Sequence, residues 1–133
     1  GENFTTLPLK TVATRAGLGW IGKCALLVTE KYGSALRLGS ILTDAPLPVA
    51  EPVNESRCGG CMACTNACPA HAPTGALWYK GLDRDAFFNA AACRKTARER
   101  GVKYAGVAET VCGKCIAVCP HTQRYINGEA APR

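Results

Sequence analysis

The sequence has no run of the ~18–20 apolar residues that a membrane-spanning helix requires, although apolar residues make up 47% of it. No membrane partner is therefore expected. The opening stretch Gly1–Lys10 lacks the basic-then-apolar pattern of a secretory signal. The chain is accordingly expected in the cytoplasm, where thiols stay reduced. Charged residues are only 20% of the total, and with that apolar content a compositionally disordered chain is excluded. A length of 133 residues suits one domain, or two small units sharing a core. Net charge is missing from one half altogether. Residues 1–56 carry five basic and five acidic side chains, so the whole net charge of +6 lies in residues 57–133.

Cysteine is what the sequence has in excess. There are nine: Cys24, Cys58, Cys61, Cys64, Cys68, Cys93, Cys112, Cys115 and Cys119. Such a count means either a disulfide framework or a metal site. Without a secretion signal, and with cysteines recurring every third residue, metal is the expected reading. Cys58-x2-Cys61-x2-Cys64-x3-Cys68-Pro69 is the run by which bacterial two-cluster ferredoxins hold [4Fe-4S] cubanes, its last cysteine ligating the other cluster. Part of the run repeats. Cys61, Cys64, Cys68 and Pro69 recur 51 positions later as Cys112, Cys115, Cys119 and Pro120. The position matching Cys58 is Glu109, and Cys93 is the natural substitute.

This spacing implies two clusters, one on Cys58, Cys61, Cys64 and Cys119, the other on Cys68, Cys93, Cys112 and Cys115. Glu109 is the alternative fourth ligand of the second, but soft iron–sulfide clusters prefer thiolate. Two four-cysteine zinc sites are the competing metal reading. Zinc ribbons use two separated Cys-x2-Cys pairs, whereas this chain has a continuous triple run closed by Cys-Pro. Gly59, Gly60 and Gly113 suit backbone wrapped tightly around a cubane. Clusters of about −2 each with their thiolates would lower the net charge of +6 to about +2. The basicity is then mostly local compensation. A basic cluster remains at Arg94, Lys95, Arg98, Arg100 and Lys103, with little aromatic interleaving beyond Tyr104, so it reads first as a solvated helix face and only weakly as a nucleic-acid contact.

Local signals place these residues on an α+β chain. Residues 8–16 read as a short helix, with Pro8 in its first turn and Gly17 ending it. Gly17–Gly22 reads as a turn-rich connection. Cys24–Thr29 reads as a strand, Glu30–Gly33 as a turn, and Ala35–Thr43 as the returning strand of a hairpin. Pro46, Pro48 and Pro52 make residues 44–56 an extended linker. Asp83–Arg100 reads as a helix capped by Asp83 and stopped by Gly101. The tail after Asn127 is expected to fray. Cys24 reads as a small buried apolar residue. His71 and His121, each close behind a Cys-Pro pair, read equally as donors tuning a cluster or as surface residues. Trp20 and Trp78 read as core or interface aromatics.

One further pattern is specific. Arg15-Ala16-Gly17-Leu18-Gly19-Trp20-Ile21-Gly22-Lys23, then Leu26-Leu27, Gly33-Ser34 and Leu38-Gly39-Ser40-Ile41-Leu42-Thr43-Asp44, stand together with the two cysteine runs and Cys93. Over about residues 7 to 126 this resembles the C-terminal half of the epoxyqueuosine reductase family, cobalamin-dependent reductases with two [4Fe-4S] clusters that are related to reductive dehalogenases.

The resemblance implies an α+β fold: a small N-terminal helix and β-hairpin segment (1–50, part of a larger α/β corrinoid-type domain in the family), then a mainly helical, ferredoxin-like two-cluster domain (51–133). It also implies that Gly19, Trp20, Gly22 and Lys23 belong to one wall of a corrinoid site. The expected activity is electron transfer to a reductase site in a catalytic domain or partner. A redox donor protein of ferredoxin or flavodoxin type would feed it, and tRNA would be the eventual substrate.

Four departures qualify this. The family's larger N-terminal domain is absent from this chain, so cobalamin would bind only with that domain supplied. Glu2-Asn3-Phe4-Thr5-Thr6 stands where the family carries its catalytic acid in an Asp-x-Ala-Pro stretch, and no catalytic residue is assigned. Cys24 replaces a small polar residue. Ala70-His71-Ala72 looks like a short insertion.

Overall fold

Leu9–Arg15 forms helix α1 because Pro8 can precede a helix without losing a needed N–H, while Gly17, at φ +70°, turns the chain out of it. The structure, a computed structural model, describes residues 8–129. The expected helix at 8–16 is therefore present. The Glu2–Thr6 stretch lies outside the described residues, as does the end of the tail beyond Glu129.

A hairpin is also present, but with different strands. Strand β1 (Trp20–Ile21) pairs antiparallel with β2 (Leu27–Val28), Trp20 opposite Val28 and Ile21 opposite Leu27. The expected connection at 17–22 thus supplies one strand, and residues 35–43 supply none. The turn at 30–33 does form, closed by Thr29 and Gly33 bonding each other's backbone. Past it the chain is drawn away from β2. Ser34 N–H donates to the buried Thr122 Oγ1, and a side chain at Gly33 would collide with the Thr122 backbone. Ile41 and Leu42 end up 92% and 88% exposed, with no sheet partner.

The core joins α1 and the hairpin to the second half of the chain. Ala13, Ile21, Ala25 and Leu27 pack with Phe87, and Leu36, Leu38, Trp78, Leu82 and Phe88 close around them. Residues 44–56 are extended as expected, yet they are tied down. Val53 N–H donates to Thr14 O (2.8 Å), Arg15 reaches Asn54 Oδ1 (2.8 Å), and Ser56 N–H donates to Trp78 O (2.8 Å).

The long helix starts and stops elsewhere than expected. Asp83 caps only a 3-10 turn, Arg84–Ala86, by accepting from Asp85 N–H. The chain then leaves helical geometry to sink Phe87 into the core, and Asn89 caps helix α3 (Ala90–Ala105) by accepting from Ala92 N–H. Gly101 does not stop it. That residue lies inside α3 because the Val107 and Glu109 carbonyls pass where a Cβ would sit. Gly106, in the left-handed region, ends the helix.

The remaining helices are α2 (Ala63–Ala67), α4 (Lys114–Ala117) and α5 (Pro120–Ile126). Helix α2 packs against α4, and α4 against α5. The described residues thus make an α+β chain of five α-helices and one two-stranded hairpin, none of the helices long and apolar enough to cross a membrane.

Candidate metal centre

The two cysteine runs are built alike. In the first, Cys58 precedes a tight turn closed by Cys61 N–H on Cys58 O (3.0 Å), and Cys64 lies in the short helix α2. Cys68 ends that helix in extended backbone, just before Pro69. In the second, Cys112 precedes the turn, Cys115 lies in α4, and Cys119 is extended before Pro120. Gly59 (φ +52°) and Gly113 (φ +68°) take left-handed conformations that bend each run, and a Cβ on either would meet nothing within 4 Å. The runs diverge after Cys-Pro. Pro120 starts α5, whereas Pro69 leads into a turn that places His71 at φ +46°.

The second set of thiols converges. Cys68, Cys93, Cys112 and Cys115 all line one cavity of about 680 Å³. Burial raises the Cys93 thiol's pKa, and its neighbours Cys115, Cys68 and Cys112 add to the rise. Cys68 Sγ also accepts from the Ala72 N–H (3.4 Å). Glu109 lines the same cavity, as do Arg94 and Arg98. The basic cluster is therefore split. Arg94 and Arg98 are exposed residues of the cavity lining, while Arg100 and Lys103 lie over the Tyr104 ring at 4.8 and 5.1 Å.

The first set is more open. Cys61 is exposed, and Cys58, Cys64 and Cys119 are half-buried. Cys58 Sγ comes within 3.6 Å of the point where a Cβ at Gly22 would stand. Two polar groups nearby lack ordinary partners. Thr65 Oγ1, next to Cys64, is shielded from solvent and has the Cys64 sulfur beside it. Lys23 is buried at 4% exposure, and its ammonium donates to the Met62 thioether (3.4 Å) on the Cys61–Cys64 turn. Among the described residues no carboxylate reaches it. A thiolate-ligated cluster at this turn would place negative charge beside that ammonium.

Among the described residues no three Cys, His, Asp or Glu side chains close on a point as tightly as one ion would need. A cubane instead spreads its four thiolates over four corners. Cavity, left-handed glycines, backbone N–H and buried cation together fit such a group.

The expected corrinoid-wall residues have packing partners here. Gly19 passes so close to the Val28 carbonyl that a Cβ there would overlap it. Trp20 is fully buried, edge-on to His121 (5.0 Å) with Arg57 over its face (5.7 Å). Gly22 borders the Cys24 and Cys58 sulfurs, and Lys23 points to Met62. His71 is exposed. His121 Nδ1 lies 2.6 Å from Arg124 and 3.7 Å from Glu30. The two contacts conflict, because Arg124 needs Nδ1 as an acceptor and Glu30 needs it as a donor. Burial, then Arg124, holds the His121 pKa below the ordinary histidine value, so the neutral ring accepting from Arg124 is favoured.

Sequence reasoning missed two features, the burial of Lys23 and the position of Cys24. Cys24 is buried as expected, but among sulfurs. Its thiol contacts those of Cys64 and Cys115. These contacts, then burial, push its pKa up, and the same contacts hold the Cys64 and Cys115 thiols below the usual range. No spacing signal links Cys24 to either run.

Comparison with known proteins bears on this geometry. Residues 57–122 match the model of the 4Fe-4S double cluster binding domain. The chain is 48% identical over 63 residues to the epoxyqueuosine reductase of Vibrio cholerae, covering 47% of this chain and 17% of that protein. It is 48% identical over 68 residues to that of Escherichia coli K12, covering 51% and 17%. A crystal structure of epoxyqueuosine reductase with an epoxyqueuosine-modified tRNA-Tyr stem loop superposes with a TM-score of 0.62 at 26% identity, over 91% of this chain and 32% of that one. The chain thus spans about a third of the solved relative and under a fifth of the curated ones.

Proposed function

This chain carries, over residues 57–122, a 4Fe-4S double cluster binding domain of the epoxyqueuosine reductase type, and from that premise we propose that it is an electron-transfer module feeding a reductase site. The observation that carries the reading is the single cavity shared by Cys68, Cys93, Cys112 and Cys115, which draws on both runs and on α3. These four would hold the second cluster, and Cys58, Cys61, Cys64 and Cys119 the first. Bound clusters supply one-electron transfer.

The rest is work for the chain's own groups. Arg94 and Arg98 bring positive charge to the rim of the second site, and Lys23 brings it to the first. The Ala72 N–H stabilises charge on Cys68. The exposed Cys61 marks an edge where a donor of ferredoxin or flavodoxin type would approach. Residues 51–133 would form the cluster unit, and residues 1–50 the segment that abuts the reductase site. The test is iron and acid-labile sulfide per chain on anaerobically purified protein. About eight of each is expected. Stoichiometric zinc without sulfide would leave a zinc-stabilised interaction domain as the better account.

The second reading is that the chain works as part of an epoxyqueuosine-reductase-like enzyme in tRNA modification, with cobalamin bound by a further domain. Its support is the superposition over 91% of the chain on a reductase crystallised with a tRNA stem loop. Replacing the corresponding segment of a full-length relative with this one tests it. Retained conversion of epoxyqueuosine in tRNA is expected, and a fully loaded but inactive chimera would count against it.

A further inference from the structure

Cys24 is the ninth cysteine, outside both proposed ligand sets, yet it is 4% exposed and lies among their sulfurs. Its place is set by the hairpin turn. Gly22 N–H donates to Leu26 O (2.9 Å), Ala25 N–H donates to Gly22 O (2.8 Å), and Ala25 is held at φ +57°, a conformation non-glycine residues rarely adopt. Cys24 Sγ and Cys58 Sγ stand 3.4 and 3.6 Å from the point where a Cβ at Gly22 would sit, so the two sulfurs share one side of that residue, while Val28 Cγ2, 2.8 Å from the same point, is the group a side chain there would press on. On its other sides the Cys24 thiol meets Cys64 in α2 and Cys115 in α4, the two helices that bring the pseudo-repeats together.

We propose that Cys24 is a hydrogen-bond donor shared between the two clusters, its S–H directed to a ligand sulfur of one or the other, and that it sets the difference between their potentials. The proposal rests on the two-cluster reading above. A cysteine that ligates nothing is ordinarily a thiol at neutral pH, and S–H is a weak donor with one hydrogen to give. Ligand thiolates are good acceptors, and hydrogen bonds to cluster sulfurs are among the levers that set cluster potential. A single hydrogen cannot serve Cys64 and Cys115 equally. Cys24 therefore biases two otherwise similar sites, and favours the electron resting on the cluster that receives the bond. No covalent step is involved.

Anaerobically purified wild type, Cys24→Ala and Cys24→Ser are the proteins to compare. Iron and sulfide content comes first, then both midpoint potentials by EPR-monitored titration, then the Fe–S stretching bands in H2O and D2O. The expected result is unchanged iron in all three proteins. In Cys24→Ala one cluster becomes harder to reduce, the reduced-to-oxidised ratio at a fixed potential falling several-fold, where tenfold corresponds to about 59 mV. Cys24→Ser keeps a donor and should stay closer to wild type. The deuterium shift of one cluster's bands should be kept in the serine variant and be smaller in the alanine variant, the backbone N–H donors accounting for what is left. Two unchanged potentials in Cys24→Ala would overturn the proposal. So would loss of iron in that variant, which would make Cys24 a ligand or a packing residue. Wild-type protein with only about four irons would instead remove the two-cluster reading, and this proposal with it.

Discussion

The α1–hairpin region and the cysteine-rich region are stabilised by different means. The first has Ala13, Ile21, Ala25 and Leu27 buried around Phe87, which the second half of the chain contributes. In the second, α2 and α4 are five and four residues long and bury no residue at all. Isolated helices this short do not persist in water, and burial of apolar area cannot hold them. The difference teaches that hydrophobic burial fixes one region, while the shortest helices of the other would depend on ligation, so that cluster binding there would be folding energy. Trp20 and Thr122 mark the seam, where Trp20 meets His121 and Thr122 meets Ser34.

Cys93→Ala should separate the two regions most sharply. Iron should fall from about eight to about four per chain, or to a three-iron form at the second site. Glu109→Ala should leave iron unchanged, and the reverse pattern would return Glu109 to the ligand set. Next in size is Phe87→Ala, in the apolar region. It should lower stability by about 3–5 kcal/mol at unchanged iron per folded chain, read from thermal midpoint and metal content together. If iron is lost in step with stability, the two regions are one cooperative unit.

Lys23→Met tests the charge link between the regions at nearly constant volume. Iron should be retained, while the first cluster becomes harder to reduce, its reduced-to-oxidised ratio falling several-fold at fixed potential. An unchanged ratio would mean that the ammonium does not sense the cluster. The smallest effect belongs to His121 at the seam. Its folded pKa lies below the unfolded value of about 6.5, so the unfolded chain binds more protons between those values. Stability is full above about pH 6.5, falls as pH drops toward the folded pKa, and levels off below it. His121→Gln should flatten that slope, and an unaltered slope would assign it to other groups.

Much of the centre was legible in the chain itself. The runs Cys58–Pro69 and Cys112–Pro120 are local, and counting from Glu109 back to Cys93 named a residue that the structure sets beside Cys68, Cys112 and Cys115. The helix at Leu9–Arg15 was legible from Pro8 and Gly17, because caps act within one turn. Less legible were elements decided at a distance. Asp83 and Asn89 are both good caps, and the choice between them depended on where Phe87 was buried. Gly101 looks like a stop, but it serves the close passage of residues 107–109. Ala35–Thr43 looks like a strand, yet Ser34 and Thr122 pull the chain from β2.

The sequence by itself determined which sulfurs are grouped by spacing, where the chain must bend at Gly59 and Gly113, and that the net charge lies in the half that carries eight of the nine cysteines. Those properties depend on a few neighbouring dihedrals and on composition. Only the tertiary structure decided that Trp20–Ile21 is the partner of Leu27–Val28, that Lys23 is buried against Met62, and that Cys24 lies between Cys64 and Cys115. The last two join segments far apart in the chain, and even the local hairpin pairing depends on a distant contact, that of Ser34 with Thr122. All three are chosen by competition for burial and hydrogen bonds across the whole molecule, and no local pattern records that competition.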